Sequence, residues 1–480
     1  MNYRMIFYIT GKILCLGALM LAAPLVVSLI YKDGNVYAFL ISAVCFLAAG
    51  GLCMCTRPKN KSIYAREGMM IVSLSWVLFS FFGGLPFWFS REIPHLYDCF
   101  FETVSGFTTT GSTILTNVEA LSKSMLFWRS FTHWIGGMGV LVFAMALFSA
   151  KDTRMSHILR AEMPGPKIGK LVAKWQFSAQ ILYIIYLFLT LIEIILLLIG
   201  KMPLFDCIVH AFGTAGTGGF GIKNNSIGYY NSAYIDYVIG IFMFLFGVNF
   251  NIYYLLLAKK FLKVKDNDEL KLYIGTVIAA TFIIALNILP VYGGFSKAVR
   301  YAFFQVSSVI TTTGYATADF CKWPILSQFI LVLLMFTGCC AGSTGGGLKL
   351  IRVLVLSKGA LKEISRTIRP RTVYTIKNDG KPLETDVISG VFAYFGIYMI
   401  ILALSVLIVS LDNFDMTTTV TSVVTTINNI GPGLGMVGPA GNFSEFSVLS
   451  KLVMSFDMLA GRLELYPMLA LISPFVWRKL

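Results

Sequence analysis

The chain has 480 residues, 56% of them hydrophobic and only 13% charged, about half the roughly 25% charge of a soluble domain. So little charge excludes a soluble enzyme, and so high an apolar content excludes a disordered chain. The excess of 39 Lys+Arg over 24 Asp+Glu, net +15, would suggest nucleic acid in a soluble protein; here it is the sign expected of cytoplasmic loops facing anionic lipid, with no nucleic-acid partner.

A helix crosses the ~30 Å hydrocarbon core in about 20 residues. Ten segments qualify, at roughly 11–30, 37–55, 69–90, 126–148, 177–199, 234–258, 272–292, 325–349, 386–411 and 447–472. The first has no small-residue cleavage site followed by a soluble domain, so it reads as a span and not a signal peptide. An even number of spans puts both termini on one side. With the N-terminus inside, the inner segments are the two tails, 56–68, 149–176, 259–271 and 349–385. They hold 28 of the 39 Lys/Arg, Lys12 being counted with the N-terminal tail. Both termini are therefore expected in the cytoplasm. The nine cysteines follow no metal spacing and read as small packing residues; Cys15, Cys45, Cys53 and Cys55 border apolar runs, and Cys339 and Cys340 are adjacent.

Four outer connections, near 91–125, 201–233, 293–324 and 412–446, each carry an apolar stretch too short to span. Each stretch runs into a polar, glycine-containing segment. That is the pattern of a re-entrant loop, since irregular backbone at membrane depth must be buried in protein or line a wet cavity. The first two connections align without gaps, from Tyr97-Asp98-Cys99 to Thr110-Gly111-Ser112 and from Phe205-Asp206-Cys207 to Gly218-Gly219-Phe220, with 13 residues from Asp to Gly in both. The third supplies Thr311-Thr312-Thr313-Gly314-Tyr315 and the fourth Asn428-Asn429-Ile430-Gly431-Pro432. One such stretch alone would be an ordinary turn. Four in register predict an all-α polytopic membrane protein built from four span–loop–span repeats around one central pore, plus two extra N-terminal spans. The expected units are 1–60 for the two extra spans, then 61–160, 161–262, 263–372 and 373–480. Glycine suits a narrow ring of main-chain carbonyls that replaces an ion's hydration shell. Short helices ending on the ring would turn their negative ends toward a cation. A carboxylate ring is not expected, because Glu102 lies in only one of the four connections.

The span beginning at 325 is apolar to Thr337 and then meets Gly338-Cys339-Cys340-Ala341-Gly342-Ser343-Thr344-Gly345-Gly346-Gly347. Five glycines in ten residues, at about 1 kcal/mol each, do not sustain a helix. A broken helix at membrane depth usually lines a pathway, although small residues also serve close helix packing. Arg462 is an ionisable group in the last span, and pairing with Asp457 or Glu464 is one structural explanation of it. Arg129 and His133, one turn apart, read as structural. Glu193 is an acid deep in an apolar run with no role legible from sequence.

Several stretches together resemble the membrane subunit of the Trk-type potassium-uptake systems (TrkH-like), in the Trk/Ktr/HKT superfamily. They are SGFTTTGST (105–113), FWRSFTHWIGGMG (127–139), RAEMPGP (160–166), ITTTGYATAD (310–319), GCCAGSTGGGLKLIR (338–352), NNIGPGLG (428–435) and GRLELYP (461–467). The resemblance covers nearly the whole chain, and the extra N-terminal spans resemble the Trk branch more than the Ktr branch. It implies K⁺ uptake across a bacterial inner membrane, with no covalent cofactor. The selectivity filter would be lined by carbonyls around Thr110, Gly111, Gly218, Gly219, Thr313, Gly314, Ile430 and Gly431. Gly111, where sodium-permeable relatives carry Ser, implies potassium preference. The resemblance further implies that Gly338, Cys339, Ala341, Gly342, Ser343, Thr344, Gly345, Gly346 and Gly347 form an intramembrane gate under the filter. It puts Arg462 beside the pore as an electrostatic barrier, and it implies a homodimer with a cytoplasmic nucleotide-binding, TrkA-like regulatory subunit. No phosphate-binding fingerprint occurs in this chain, so nucleotide sensing would be the partner's. A secondary transporter coupled to H⁺ or Na⁺ is the alternative. An enzyme is not expected, because His95, His133, His157 and His210 are dispersed and share no motif with the carboxylates.

Overall fold

The structure, a computed structural model, describes residues 1–58, 63–139, 175–371 and 374–477, with side chains from residue 180 onward in the third stretch. The expected inner segment 149–176 falls almost entirely outside the described residues, as do the RAEMPGP stretch, the unit boundaries at 60/61 and 160/161, and the end of the 126–148 span.

The N-terminal helices Tyr3–Met20 and Val36–Met54 pack antiparallel. Gly11 faces Gly50, and a β-carbon on Gly11 would lie 2.7 Å from the Gly50 carbonyl oxygen; small residues let the two backbones close up. This pair packs on Ala65–Phe89 through Leu14, Phe46, Trp76 and Phe79. All nine cysteines are free.

From Ala65 onward one order recurs: long helix, short helix, glycine loop, second helix. The first unit has Ala65–Phe89, Leu96–Phe107 and Lys123–Met138, and the second Trp175–Ile199, Leu204–Gly216 and Ala233–Phe246. The third has Asp268–Tyr292, Phe295–Ile310 and Ile325–Thr337, and the fourth Thr385–Val409, Met416–Ile427 and Val448–Arg462. The long helices carry lipid-type faces. Ile400, Leu404 and Leu407 form an exposed apolar stripe at helical spacing on Thr385–Val409.

The short helices are buried, and the fourth, MTTTVTSVVTTI, is rich in β-branched residues that form helices poorly. Its hydroxyls are absorbed by the preceding turn, Thr421 and Thr426 donating to the carbonyls of Thr417 and Ser422 at 2.7 and 2.9 Å.

Six described helices are long and apolar enough to cross a bilayer, or seven if the bent pair Ala233–Phe246 and Phe250–Leu257 counts as one. The expected windows at 126–148, 234–258, 325–349 and 447–472 are not single straight helices. The second helices of the units are only 13 to 16 residues long. Lys123–Met138 stops at Gly139. In the second unit the chain bends by 89° at Gly247-Val248-Asn249. In the third it leaves the helix at Gly338 and resumes at Leu350, and in the fourth it breaks at Leu463-Glu464-Leu465. Among the described residues the one departure from helix and loop is a small hairpin, Lys377–Asn378 paired with Lys381–Pro382. It turns on Asp379-Gly380, both with positive φ.

Candidate functional site

All four short helices end alike. The N–H groups of Thr109, Thr217, Thr312 and Asn429 donate three residues back, to Gly106, Thr214, Val309 and Thr426, at 3.0–3.2 Å. The next N–H groups, of Thr110, Gly218, Thr313 and Ile430, donate five residues back at 2.8–2.9 Å. This is the Schellman closure, which needs a left-handed residue at its corner. Thr109, Thr217, Thr312 and Asn429 hold that corner, at φ 55–58°. Three are β-branched, for which the conformation is a genuine outlier. Two residues later Gly111, Gly219, Gly314 and Gly431 are again at positive φ, 74–93°.

The four loops meet in a closed ring. A β-carbon on Gly111 would overlap the carbonyl oxygen of Gly218, one on Gly219 that of Thr313, and one on Gly314 that of Ile430. A β-carbon on Gly431 would lie 2.8 Å from the carbonyl oxygen of Thr110. The eight residues singled out in sequence are thus brought together, each glycine facing the main-chain oxygen of the next unit. Asn429 bridges the seam between the fourth and first units, donating to Thr110 Oγ1 and to the Met458 carbonyl of its own unit, both at 2.9 Å.

On the outer side all four glycines line one cavity of about 110 Å³. No carboxylate lines it among the described residues. Lys223 at its rim is bound to Glu119 at 3.0 Å, and the hydrogen bond from that ammonium holds the Glu119 carboxyl below the usual carboxylate range.

Arg129 and His133 are buried beside this ring. Arg129 pairs with Glu102 at 2.8 Å, donates to the Gly221 carbonyl at 3.2 Å and stacks on Phe220. Glu102 also accepts from Thr113 and from the Ile114 N–H. His133 Nδ1 lies 2.7 Å from the Gly106 carbonyl, and its Nε2 accepts the Phe220 N–H at 3.2 Å. A neutral imidazole protonated on Nδ1 satisfies both contacts. The two side chains brace the first and second glycine loops, and Arg129 also lines the outer cavity.

The inner side is closed by the segment from Gly338 to Gly347. The Gly346 N–H donates to Thr312 Oγ1 at 2.7 Å. A β-carbon on Gly345 would lie 2.7 Å from the Thr311 carbonyl oxygen, and one on Gly346 2.5 Å from that of Asn428. The segment therefore sits directly under the third and fourth loops. The 89° bend of the second unit holds it: Cys340 N–H donates to the Gly247 carbonyl at 3.2 Å, and Phe250 N–H to the Gly342 carbonyl at 3.1 Å. Glu269 accepts from the Ala341 and Ile351 N–H groups at 2.7 and 3.1 Å. Ser343 packs on Cys339 with 2.9 Å between Oγ and Sγ.

Arg462 is buried against this segment. Its guanidinium donates to the Thr344 carbonyl at 2.6 Å and to the carbonyls of Gly136 and Gly137 at 2.5 and 2.7 Å. It ties the fourth unit to the third and the first. Asp457 and Glu464, the partners suggested from sequence, are held by other groups among the described residues. Asp457 accepts from Ser405 at 2.8 Å, and Glu464 pairs with Arg352.

Lys349 and Arg352, counted in sequence with the inner basic segment, are both buried. The Lys349 ammonium donates to the Gly345 carbonyl. Their position just after a glycine break was the available signal, masked by the general excess of cations on that side. Glu269 and Tyr315 were likewise missed.

The TrkH family model, described as a cation transport protein, matches residues 36–479. The chain is 37% identical over 486 residues to the Trk system potassium uptake protein TrkH of Salmonella typhimurium, covering all of both chains. It is 33% identical to the Trk system potassium uptake protein TrkG of Escherichia coli, covering 99% of each. The crystal structure of the potassium transporter TrkH from Vibrio parahaemolyticus superposes with a TM-score of 0.90 at 33% identity, over the full length of both chains.

Proposed function

The chain belongs to the TrkH family of cation transport proteins, and from that premise we propose that its four glycine loops form a K⁺ selectivity filter. It is a membrane protein of a potassium-uptake system and not an enzyme. The observation that carries the filter reading is the closed ring of glycines and carbonyl oxygens running through all four units. Main-chain oxygens can replace the water a K⁺ ion sheds, and four short helices end on the ring with their carbonyls toward it. Thr110, Gly111, Gly218, Gly219, Thr313, Gly314, Ile430 and Gly431 supply the oxygens. The segment 338–347 is the gate, since it caps the inner side of the third and fourth loops. Arg462 holds the gate through Thr344 and adds a repelling charge on the ion's path.

In this reading the repeats are the units 61–160, 161–262, 263–372 and 373–480, with 1–60 packed outside the pore. The protein sits in the bacterial inner membrane with both termini cytoplasmic. It works as a homodimer, and its inner basic segments dock a TrkA-like nucleotide-binding subunit that pulls the gate aside.

Gly111→Ser tests the filter. The substitution puts a side chain against the Gly218 carbonyl at a positive-φ position. The K⁺-to-Na⁺ permeability ratio in proteoliposomes is expected to fall by roughly tenfold, equivalent to about 1.4 kcal/mol of differential binding. Unchanged reversal potentials in mixed salt would remove the filter assignment.

A coupled transporter is the second reading. Glu193 favours it: the side chain is fully buried, with the Thr214 hydroxyl beside its carboxylate and no ion pair to it among the described residues. K⁺ flux that follows its own gradient with no accompanying proton or sodium current would exclude this.

A further inference from the structure

The residue after each ring glycine reaches back to the preceding unit. Ser112 Oγ donates to the Gly431 carbonyl of the fourth unit at 3.3 Å. Phe220 is held by the first unit: its N–H donates to His133, and its ring is covered by the His133 imidazole at 4.2 Å and the Arg129 guanidinium at 3.9 Å. Tyr315 crosses to the second unit. Pro432 makes only an apolar contact, its Cδ lying 2.8 Å from where a β-carbon on Gly314 would stand. The carbonyls one position further on repeat the direction. Thr113 accepts from Phe443 N–H of the fourth unit at 2.8 Å, Gly221 from Arg129 of the first, and Ala316 from Gly228 N–H of the second at 3.1 Å. Among the described residues no hydrogen bond from Pro432 or Gly433 reaches the third unit. The glycines lean forward around the ring, and their neighbours are tied backward.

Tyr315 is the most elaborately held of the four. It is fully buried. Its own carbonyl accepts from Ser308 Oγ of the third short helix at 2.6 Å. Its hydroxyl lies 3.2 Å from the His210 carbonyl, 3.3 Å from His210 Nδ1 and 3.4 Å from the Phe220 carbonyl. The phenol comes this close to the second short helix because Gly213 has no side chain; a β-carbon there would overlap the hydroxyl. Behind it the contacts continue outward. His210 Nε2 is 3.2 Å from the Tyr230 hydroxyl, which donates to Asp206 at 2.7 Å. Because Tyr230 gives its proton to the carboxylate, it accepts from His210 Nε2–H. His210 Nδ1 is then a bare acceptor facing Tyr315, and one neutral tautomer satisfies the whole chain.

We infer that Tyr315 is a positioning residue for ion discrimination: its hydroxyl, anchored on His210, keeps the third loop from closing inward around an ion smaller than K⁺. The inference rests on the filter reading above and names what holds that filter at its working width. In the size-fit account of a carbonyl cage, Na⁺ is rejected because the oxygens resist following the smaller ion, and a tie from the loop to a neighbouring unit supplies that resistance. The tie is specific to one seam of the ring, so the selectivity it confers is separable from the fold.

The test uses the full-length protein in proteoliposomes, with K⁺ and Na⁺ fluxes measured on the same preparation. Tyr315→Phe removes only the hydroxyl. The K⁺-to-Na⁺ flux ratio is expected to fall by about threefold to tenfold, the range a single hydrogen bond commands, chiefly through a rise in Na⁺ flux. Gly213→Ala, which pushes the hydroxyl off His210, should move the ratio the same way. A role confined to folding would lower both fluxes together and leave the ratio fixed, and that outcome overturns the proposal. Gly111→Ser in parallel separates the two readings. A ratio changed by Gly111→Ser but not by Tyr315→Phe or Gly213→Ala sinks the tie and leaves the filter; a ratio unchanged by all three sinks both. If Tyr315→Phe yields no folded protein, Tyr230→Phe carries the test. It cuts His210 from Asp206 and is expected to lower the ratio by a smaller factor, whereas no change there rejects the anchored chain.

Discussion

On the outer side of the ring, four segments of different sequence, TTTGS, GTGGF, TTTGY and NNIGP, follow one backbone path with left-handed residues at matching places. On the inner side the second helices break in different ways: over three residues in the second unit, twelve in the third and three in the fourth. A shared outer geometry suits a ring whose members must present equivalent oxygens. An inner side with one long break suits a device that moves on one side only. The bend of the second unit is a cradle, since the groups it frees, Gly247 C=O and Phe250 N–H, both bind the third unit's segment. On the proposed reading, selection would be distributed around the axis and gating concentrated at the seam between the third and fourth units.

Deleting residues 342–346 should break that division most plainly. Lowering a barrier by about 1.4 kcal/mol raises a rate tenfold, and flux in the absence of the regulator is expected to rise by at least roughly that factor. The K⁺-to-Na⁺ ratio should change much less, because the outer ties are untouched. Unaltered or lower flux in liposomes would remove the gate role. A ratio collapsing along with the gate would show that the two sides are one device.

Arg462 comes next in size. Arg462→Ala removes both a buried charge and three hydrogen bonds to carbonyls of other units. K⁺ flux is expected to rise by roughly threefold to tenfold, equivalent to about 0.6–1.4 kcal/mol of barrier, a fraction of the about 1.5–3 kcal/mol that one hydrogen bond from a charged group is worth, because the segment keeps its other ties to Thr312, Gly247 and Glu269. Arg462→Lys separates the two effects. It keeps the charge but not the planar fork that reaches several carbonyls at once. Flux near the parent value in the lysine variant would assign the barrier to Coulomb repulsion, and flux as high as in alanine would assign it to the hold on Thr344. A variant of either kind recovered only as aggregate would favour helix packing as the residue's whole role.

The two sides also differ in how much of them could be read from sequence. The ring was legible because glycine at positive φ has few substitutes, so Gly111, Gly219, Gly314 and Gly431 stand in register whatever surrounds them. The break at 338–347 was legible from glycine density. The breaks in the second and fourth units were not, because Gly247-Val248-Asn249 and Leu463-Glu464-Leu465 sit inside apolar windows with one glycine between them. Those helices end where tertiary partners take over their free backbone groups, which no local pattern announces. The same holds for charge. Lys349 and Arg352 carry the sign of an inner loop, yet they are buried on partners 4 and 112 residues away in the chain, Gly345 and Glu464. Arg462 was visible as an ion in a span, but its three carbonyl partners were beyond sequence. Tyr315 was quoted within a motif without a role, because His210 lies 105 residues earlier.

The smallest expected effect is the sharpest probe of the comparison. Thr217 and Thr312 occupy the same corner, at φ 55 and 58°, where a residue other than glycine costs about 1–2 kcal/mol. Glycine relieves that strain and returns about 0.5–1 kcal/mol as chain entropy. Each threonine replaced by glycine should therefore raise the thermal midpoint in detergent by about a degree, or leave it level. Their hydroxyls differ. Among the described residues Thr217 Oγ1 donates only to its neighbour, the Gly216 carbonyl, at 2.6 Å. Thr312 Oγ1 accepts the Gly346 N–H of the 338–347 segment. Thr312→Gly cuts an inner tie and should raise basal flux by roughly twofold to fivefold, as the loss of one hydrogen bond allows. Thr217→Gly makes the same backbone change with no inner tie to cut, and flux should stay at the parent level. Equal increases from both would mean that corner strain and not the gate contact controls passage, and the separation of an outer selector from an inner gate would fail at the one residue that touches both.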